Sequence, residues 1–335
     1  MNEYMLEAIK EAKKGWGKTS PNPMVGAIIV KNNKIIGRGY HHKAGEAHAE
    51  INAIKDSKEE TKNSTIYVTL EPCSTYGRTG PCTSAIIAAG IKKVVIGSTD
   101  PNPEHAGQGI TILEKAGIEV IVDIEKEKCL KLNEAFFKWI TTGTPFVILK
   151  MAMTLDGKIA TESGQSQWIT GEIARDRVQK LRQWSDAIIV GGETVRKDKP
   201  SLTVRTPQNW NNQPRRIIIS KSLTEADAQN LMLRTPQNPE IINLDKIDLS
   251  ESIKKLGSEN VTSILIEGGG EVASLAISSG IVDKIEFHIA PKILGGKNSR
   301  SVISGENPLS LAEAYNLKDI SIEMLGEDIS ISGYL

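Results

Sequence analysis

Two α/β domains in tandem are what this sequence predicts, and three observations carry that reading. Short apolar runs rich in β-branched residues alternate with helical patterns along the whole chain, as layered sheets require. The alternation breaks once, at Thr141-Thr142-Gly143-Thr144-Pro145, and restarts at Phe146. A chain of 335 residues is long enough for two cores, so domains are expected over 1–144 and 145–335.

In the first half, Tyr4, Met5, Ala8, Ile9 and Ala12 recur at helical spacing and mark one face of an opening helix. Val25 to Val30 and Ile35 to Tyr40 read as strands of a hairpin turning at Asn32-Asn33. A helix over roughly 47–57 holds His48, and the β-branched run Thr65 to Leu70 is a strand. Pro81 opens the next helix and Gly90 closes it, which puts Cys82 in the first turn of a helix over 81–89. A strand at Val94 to Ile96, a helix ending near Gly117, a strand at Glu119 to Val122 and one helix over 125–139 complete this half.

The second half opens with a strand over Phe146 to Lys150. A helix over 172–184 follows, with short buried strands at Ala187 to Val190, Arg216 to Ile219 and Ser263 to Glu267. The last runs directly into Gly268-Gly269-Gly270 and a helix over 271–279, and strands near 283–290, 319–324 and 328–334 close the domain. Thr206 to Pro214 and Arg234 to Pro239 read as exposed loops.

Lys plus Arg and Asp plus Glu balance at 41 each, so bulk charge favours neither nucleic acid nor an anionic membrane. Three cysteines form no disulfide framework and fit a reducing compartment. No apolar run approaches a membrane span and the polar start lacks a signal-peptide core, so a cytoplasmic enzyme is expected.

The chemistry concentrates in His48-Ala49-Glu50, Glu71-Pro72-Cys73 and Cys82. One imidazole and two thiolates hold zinc and leave its fourth position open, as a catalytic rather than a structural site requires. Zinc lowers the pKa of bound water to about 7, and the hydroxide so formed can attack a ring carbon bearing an amino group. Glu50 is placed to take the proton and pass it to the leaving nitrogen. Cys129 is the third cysteine, in a helical pattern, and reads as a core residue. A structural zinc would need a fourth ligand, and no neighbour offers one.

In the second half, strand, glycine cluster and helix form a phosphate-binding arrangement, although Gly268-Gly269-Gly270 is not a G-x-G-x-x-G fingerprint. The loop Gly191-Gly192-Glu193-Thr194 and the turns Asp156-Gly157 and Ser163-Gly164 place a ligand crevice at the strand ends. Arg182 and Arg205 are each surface charges or, together at that crevice, phosphate ligands. Trp168 is a core residue or a planar wall for a ring. Lys150 is a surface lysine or a cation that stabilises oxygen charge during reduction.

These motifs, in this order, resemble the bifunctional riboflavin-biosynthesis deaminase/reductase family. The resemblance rests on Pro21-Asn22-Pro23-Met24-Val25-Gly26, Gly39-Tyr40-His41, the zinc motif through Gly77-Arg78-Thr79 to Pro81-Cys82, and Asp100-Pro101-Asn102-Pro103. In the second half it rests on Leu155-Asp156-Gly157-Lys158, Ser163 to Thr170, Asp198-Lys199-Pro200, Leu202 to Arg205 and Glu267-Gly268-Gly269. It implies a cytidine-deaminase-like first domain and a dihydrofolate-reductase-like second domain. It implies deamination of a diaminopyrimidinone ribosyl phosphate, then reduction of the aminouracil's ribosyl group to ribityl by NADPH. Position by position, it assigns zinc to His48, Cys73 and Cys82, and proton transfer to Glu50. NADPH falls to Ala152, Trp168, Thr194, Asp198, Gly269 and Gly270. Substrate falls to Ser166, Arg182, Leu202, Arg205 and Glu267; in the first domain Asn22 and His41 are expected to contact substrate rather than serve structure alone. Thr75 and Gly80 depart from the His and Pro common in the family. The expected partners are a small phosphorylated pyrimidine and further copies of the chain, with neither nucleic acid nor membrane. A nucleic-acid-editing deaminase shares the zinc motif but would want a basic, aromatic-studded face, and only 4% of residues are aromatic. A zinc-stabilised scaffold without activity would leave Glu50 without a task.

Overall fold

The structure is a computed structural model that describes all residues except 76–79, 103–105, 232–238, 244–247 and 307–308. The chain divides into two compact units, Met1–Gly143 and Thr144–Leu335. Gly77-Arg78-Thr79, Pro103 and most of the expected 234–239 loop lie outside the described residues.

The first unit is built on five strands, β1 (Gly26–Lys31), β2 (Lys34–Tyr40), β3 (Thr65–Leu70), β4 (Lys93–Ser98) and β5 (Glu119–Ile121), in the order β2-β1-β3-β4-β5. β1 and β2 form an antiparallel hairpin, and Asn32 and Asn33 adopt φ of 50° and 60°, the left-handed pair such a turn needs. β3, β4 and β5 run parallel. Because side chains alternate along a strand, the sheet has two apolar faces. Ala27, Ile29, Ile66, Val68, Val94 and Ile96 pack against Ala49, Ala53, Ile86 and Leu113 of three helices, Ala49–Asp56, Cys82–Ala88 and Gln108–Lys115. Ile28, Val30, Tyr67 and Val95 pack on the other side against Met5, Ala8 and Ile9 of the first helix and against Cys129. The result is a three-layer α/β/α sandwich with the zinc motif on one layer.

One expected helix is two. Residues Lys126–Leu132 and Glu134–Thr142 are separate helices because Asn133 leaves helical geometry at φ −121°. Its buried side-chain amide instead accepts the Met24 N–H at 2.8 Å and donates to the Met24 carbonyl at 2.9 Å.

The second unit contains β6 (Phe146–Thr154), β7 (Lys158–Ala160), β8 (Ala187–Gly191), β9 (Arg215–Ile219), β10 (Glu240–Ile242), β11 (Ser263–Glu267), β12 (Lys284–Ala290), β13 (Arg300–Ser301), β14 (Lys318–Leu325) and β15 (Asp328–Tyr334). Eight of these form one sheet in the order β10-β9-β8-β11-β6-β12-β15-β14, while β7 and β13 pair apart. The sheet is parallel from β10 to β12 and antiparallel from β12 to β14. One face carries Val147, Leu149, Ile189, Ile217 and Ile266 against helices Leu249–Ser258 and Gly270–Ser278. Fully burying each such side chain stabilises by about 1.5–3 kcal/mol. The other face carries Lys150, and arginines of the helix Glu172–Trp184 pair with carboxylates there. Among the described residues, no helix is long and apolar enough to cross a membrane.

Candidate active sites

In the first unit, His48 holds the N-cap position of helix Ala49–Asp56 rather than lying within it, and Glu50 follows in the first turn. Cys82 is the first residue of helix Cys82–Ala88, and Cys73 lies just past β3. Two helix starts and one strand end therefore meet. His48 Nδ1 stands 3.5 Å from Cys73 Sγ and 3.3 Å from Cys82 Sγ, and the three ligand atoms lie within 4.8 Å of one another. That spacing fits an ion bound at about 2.0–2.3 Å by one imidazole and two thiolates. Among the described residues no fourth His, Cys, Asp or Glu joins the cluster.

The two thiols behave as a pair. Hydrogen bonding from Cys82 holds the Cys73 thiol down to about 4, while Cys73 and burial push the Cys82 thiol up. Glu50 is buried, and burial first, then the nearby Cys73 charge, pushes its carboxyl up to about 7. A carboxyl in that range exchanges protons readily at neutral pH.

His41 lies edge-on to His48 with ring centroids 5.3 Å apart. Both of its nitrogens are engaged: Nδ1 meets the Ala47 carbonyl at 3.2 Å and Nε2 meets Asn22 Nδ2 at 3.1 Å. Burial holds its pKa below the usual histidine value. His41 thus accepts from the Asn22 side-chain amide at Nε2 and fixes its orientation.

Two residues that flank Cys73 in the motif carry roles the sequence did not assign. Glu71 is buried after β3, and its carboxylate accepts four backbone N–H groups: Asp100 and Gly107 at 3.1 Å, Gly109 at 3.0 Å and Ile110 at 3.3 Å. It ties the Asp100–Asn102 segment and the start of helix Gln108–Lys115 to the strand end that delivers Cys73. Ser74 Oγ is buried with no hydrogen-bond partner among the described residues. Of the two departures, Thr75 is exposed, and a Cβ at Gly80 would meet none of the described residues.

In the second unit a cavity of about 1460 Å³ opens at the strand ends; every second-domain residue assigned to cofactor, substrate or catalysis lines it, whereas Asp156, Gly157 and Ser163 of the expected crevice turns do not. The segment after β8 is not the expected loop: Gly192 starts a helix, Gly192–Asp198, which carries Thr194 and Asp198. Gly269 sits at φ 82° with its α-carbon facing Thr194, so a Cβ there would stand 3.3 Å from Thr194 Oγ1. Two helix starts with open backbone N–H groups therefore border one cavity, which suits the phosphates of a dinucleotide. Ser166 Oγ donates to Asp198 at 3.1 Å, which joins the expected substrate side to the expected cofactor side. Trp168 is 63% exposed and not a core residue; the Arg175 guanidinium stacks over it at 4.8 Å.

Two expectations are corrected. Lys150 is neither a surface lysine nor at a strand end, because β6 continues to Thr154 and the side chain is buried in the cavity floor. Burial, offset by Glu267, lowers its pKa to about 8. Arg182 is buried rather than free: its Nε and Nη2 donate to the two Glu267 oxygens, both at 2.7 Å, and Nη1 to the Thr203 carbonyl at 3.2 Å. The exposed arginine is Arg205, whose Nη1 donates to Ser201 Oγ at 3.1 Å. Leu202 is buried at φ 52°, which turns the chain so that Arg205 reaches the rim. The sequence reading also missed Ser220-Lys221-Ser222, which follows β9 and lines the cavity, with Arg196 donating to Ser222 Oγ. Its signal was the same strand-end position that drew attention to the glycines.

Residues 145–331 match the RibD C-terminal domain, and residues 1–98 match the cytidine and deoxycytidylate deaminase zinc-binding region. The riboflavin biosynthesis protein RibD of Actinobacillus pleuropneumoniae is 44% identical over 352 residues, covering 98% of this chain and 93% of that protein. The Escherichia coli K12 protein of the same name is 38% identical, covering 98% and 97%. Acinetobacter baumannii RibD superposes with a TM-score of 0.88 at 35% identity, covering 99% of this chain and 98% of that one. A diaminohydroxyphosphoribosylaminopyrimidine deaminase and aminouracil reductase of Thermotoga maritima does so with a TM-score of 0.87 at 34% identity, covering the same shares.

Proposed function

Because the chain belongs to the RibD family of riboflavin-biosynthesis enzymes, pairing a cytidine-deaminase-like domain with a dihydrofolate-reductase-like one, we propose that its two sites act in succession on one phosphorylated pyrimidine. The first removes ammonia from the diaminopyrimidinone ribosyl phosphate. The second reduces the resulting aminouracil's ribosyl group. The observation that carries the reading is the His48, Cys73, Cys82 donor set beside buried Glu50.

Zinc held by those three residues would supply Lewis acidity, which lowers the pKa of bound water to about 7. Glu50 takes one proton of the attacking water and returns it to the amino nitrogen as the C–N bond breaks, and the second water proton passes to the ring nitrogen as the carbonyl forms, so one water is consumed and one ammonia leaves. Asn22, held by His41, binds the pyrimidine edge.

NADPH bound along Ala152, Trp168, Thr194, Asp198, Gly269 and Gly270 would supply hydride for C1′ of the ribosyl group. Opening of the sugar breaks the C1′–O4′ bond and places a proton on O4′. Lys150 donates that proton and hydrogen-bonds the developing charge. Arg205 binds the phosphate. Arg182 acts through Glu267, whose position it fixes, and Ser166 and Leu202 shape the same wall. The test is to supply purified, zinc-loaded protein with the diaminopyrimidinone and NADPH. Ammonia release followed by NADPH consumption is expected, and release of neither overturns the proposal.

Two coarser features extend the reading. The three thiols are free, which supports a reducing, cytoplasmic setting. On the sheet edge β14, Ile320, Ile322 and Met324 are each at least 60% exposed on one face, which supports self-association there.

A further inference from the structure

Beneath the reductase cavity the sheet carries a row of charge that a core would normally exclude. Glu267 on β11, Lys150 on β6 and Glu286 on β12 are register partners, so their side chains project from one face of adjacent strands. Both carboxylates are forked by arginines of the covering helix Glu172–Trp184. Arg182 grips Glu267 as described, and Arg177 grips Glu286 through Nε at 2.8 Å and Nη2 at 3.0 Å. Lys150 thus lies between two arginine-neutralised carboxylates and makes no hydrogen bond to a described residue. His288, one register step on, is fully buried and meets Glu286 Oε1 at 3.0 Å through Nε2. Its Nδ1 has no partner among the described residues. An unused buried acceptor costs about 1–3 kcal/mol, which an apolar residue would avoid. The histidine is therefore better explained by what it does to Glu286 than by packing.

We propose that Arg177, Glu286 and His288 form a positioning unit for Lys150 on the side away from Glu267, and that its charge balance sets the protonation of Lys150 during reduction. The inference rests on the proton-donor role given to Lys150 above. The charged and titratable groups around that lysine are Glu267 on β11, Glu286 and His288 on β12, Asp328 on β15, Arg177 and Arg182 on the covering helix, and Arg205 at the rim. Of these, Asp328 is committed to the Gly171 N–H at 2.7 Å. His288 is held neutral by burial, so it donates from Nε2 and adds no charge. Glu286 stays ionised, held down to about 2 against its burial by His288 and Arg177. Glu267 and Glu286 raise the proton affinity of Lys150 and Arg182 lowers it, while Arg177 acts through the Glu286 carboxylate it neutralises. Removing one member of the Arg177–Glu286 pair must therefore shift Lys150 in one direction, and removing the other must shift it in the opposite direction.

The experiment is the pH profile of reductase kcat/KM between about pH 6 and 10, with aminouracil ribosyl phosphate and NADPH supplied directly. The wild-type rate falls as Lys150 loses its proton near pH 8. In Glu286→Gln that falling limb moves down by at least about half a pH unit, and in Arg177→Gln it moves up by as much. Arg177→Lys keeps the charge while losing the fork, and leaves the limb in place even if Glu286→Gln proves insoluble. A merely structural role would lower the rate at every pH without opposite shifts. Limbs that stay put, or move the same way in Glu286→Gln and Arg177→Gln, overturn the inference. Lys150→Gln separates this failure from a deeper one: if that variant keeps the limb, the role of Lys150 itself is wrong.

Discussion

Cys73 and Cys82 illustrate what single residues disclose. Their roles were legible because chemistry constrains type and spacing: a helix start and a strand end each had to deliver a thiolate to one histidine. Cys129 has the same side chain, but it is buried against β4 with its thiol pushed up to about 12 by burial, which leaves it unsuited to metal binding. Elemental analysis should therefore find that Cys82→Ser loses zinc and Cys129→Ser keeps about one per chain. The reverse pattern rejects the assignment. Glu50→Gln preserves shape and metal but cannot carry a proton, so deamination should fall by about 10²–10⁴-fold. Activity within a few-fold of wild type would remove Glu50 from the mechanism. Arg182 was not legible in this way. Whether an arginine meets solvent, phosphate or a carboxylate depends on what lies across from it. Glu267 is 85 residues away in sequence.

Elements were read where periodicity was clean and misjudged where a side chain overrode it. Nothing in the pattern over 125–139 announces a break, because the apolar spacing continues through Asn133. The break follows from a tertiary partner, the backbone of Met24, which a local reading does not see. The strand β6 outruns the expected Phe146 to Lys150 because the sheet buries that lysine and continues to Thr154. Glu71 works at the same scale, joining strand end, loop and helix start through one carboxylate. Glu71→Gln would turn an amide N–H₂ group toward one pair of its four N–H donors. Stability in urea should drop by about 1–3 kcal/mol, the cost of leaving buried donors unpaired. Zinc binding, which uses none of these atoms, should survive in the folded fraction. A stability equal to wild type would mean that the clamp contributes nothing.

At the scale of the whole molecule, the alternation of elements and one interruption were enough to read two α/β units. The exposed edge β14 was not foreseen, because an apolar strand pattern reads the same whether a partner strand or a second chain covers it. Ile322→Lys should shift the protein toward monomer in sedimentation without altering its secondary structure. An unchanged distribution argues against association through that edge. The two chemistries draw on residues from different units, so they should separate by mutation. Glu50→Gln should still reduce aminouracil ribosyl phosphate that is supplied directly. Gly269→Val is the converse case. Gly269 holds φ 82°, a conformation that costs a β-branched residue roughly 1–2 kcal/mol, and its new side chain would enter the space before Thr194. Backbone approach to a cofactor phosphate should then be blocked, lowering reductase kcat/KM by at least about tenfold, the equivalent of 1.4 kcal/mol. Deamination should continue at the wild-type rate, so the unreduced aminouracil accumulates when both substrates are present. Product analysis of each variant with each substrate reads this directly. If Gly269→Val lost deamination as severely as reduction while folded and zinc-loaded, the two sites could not be independent.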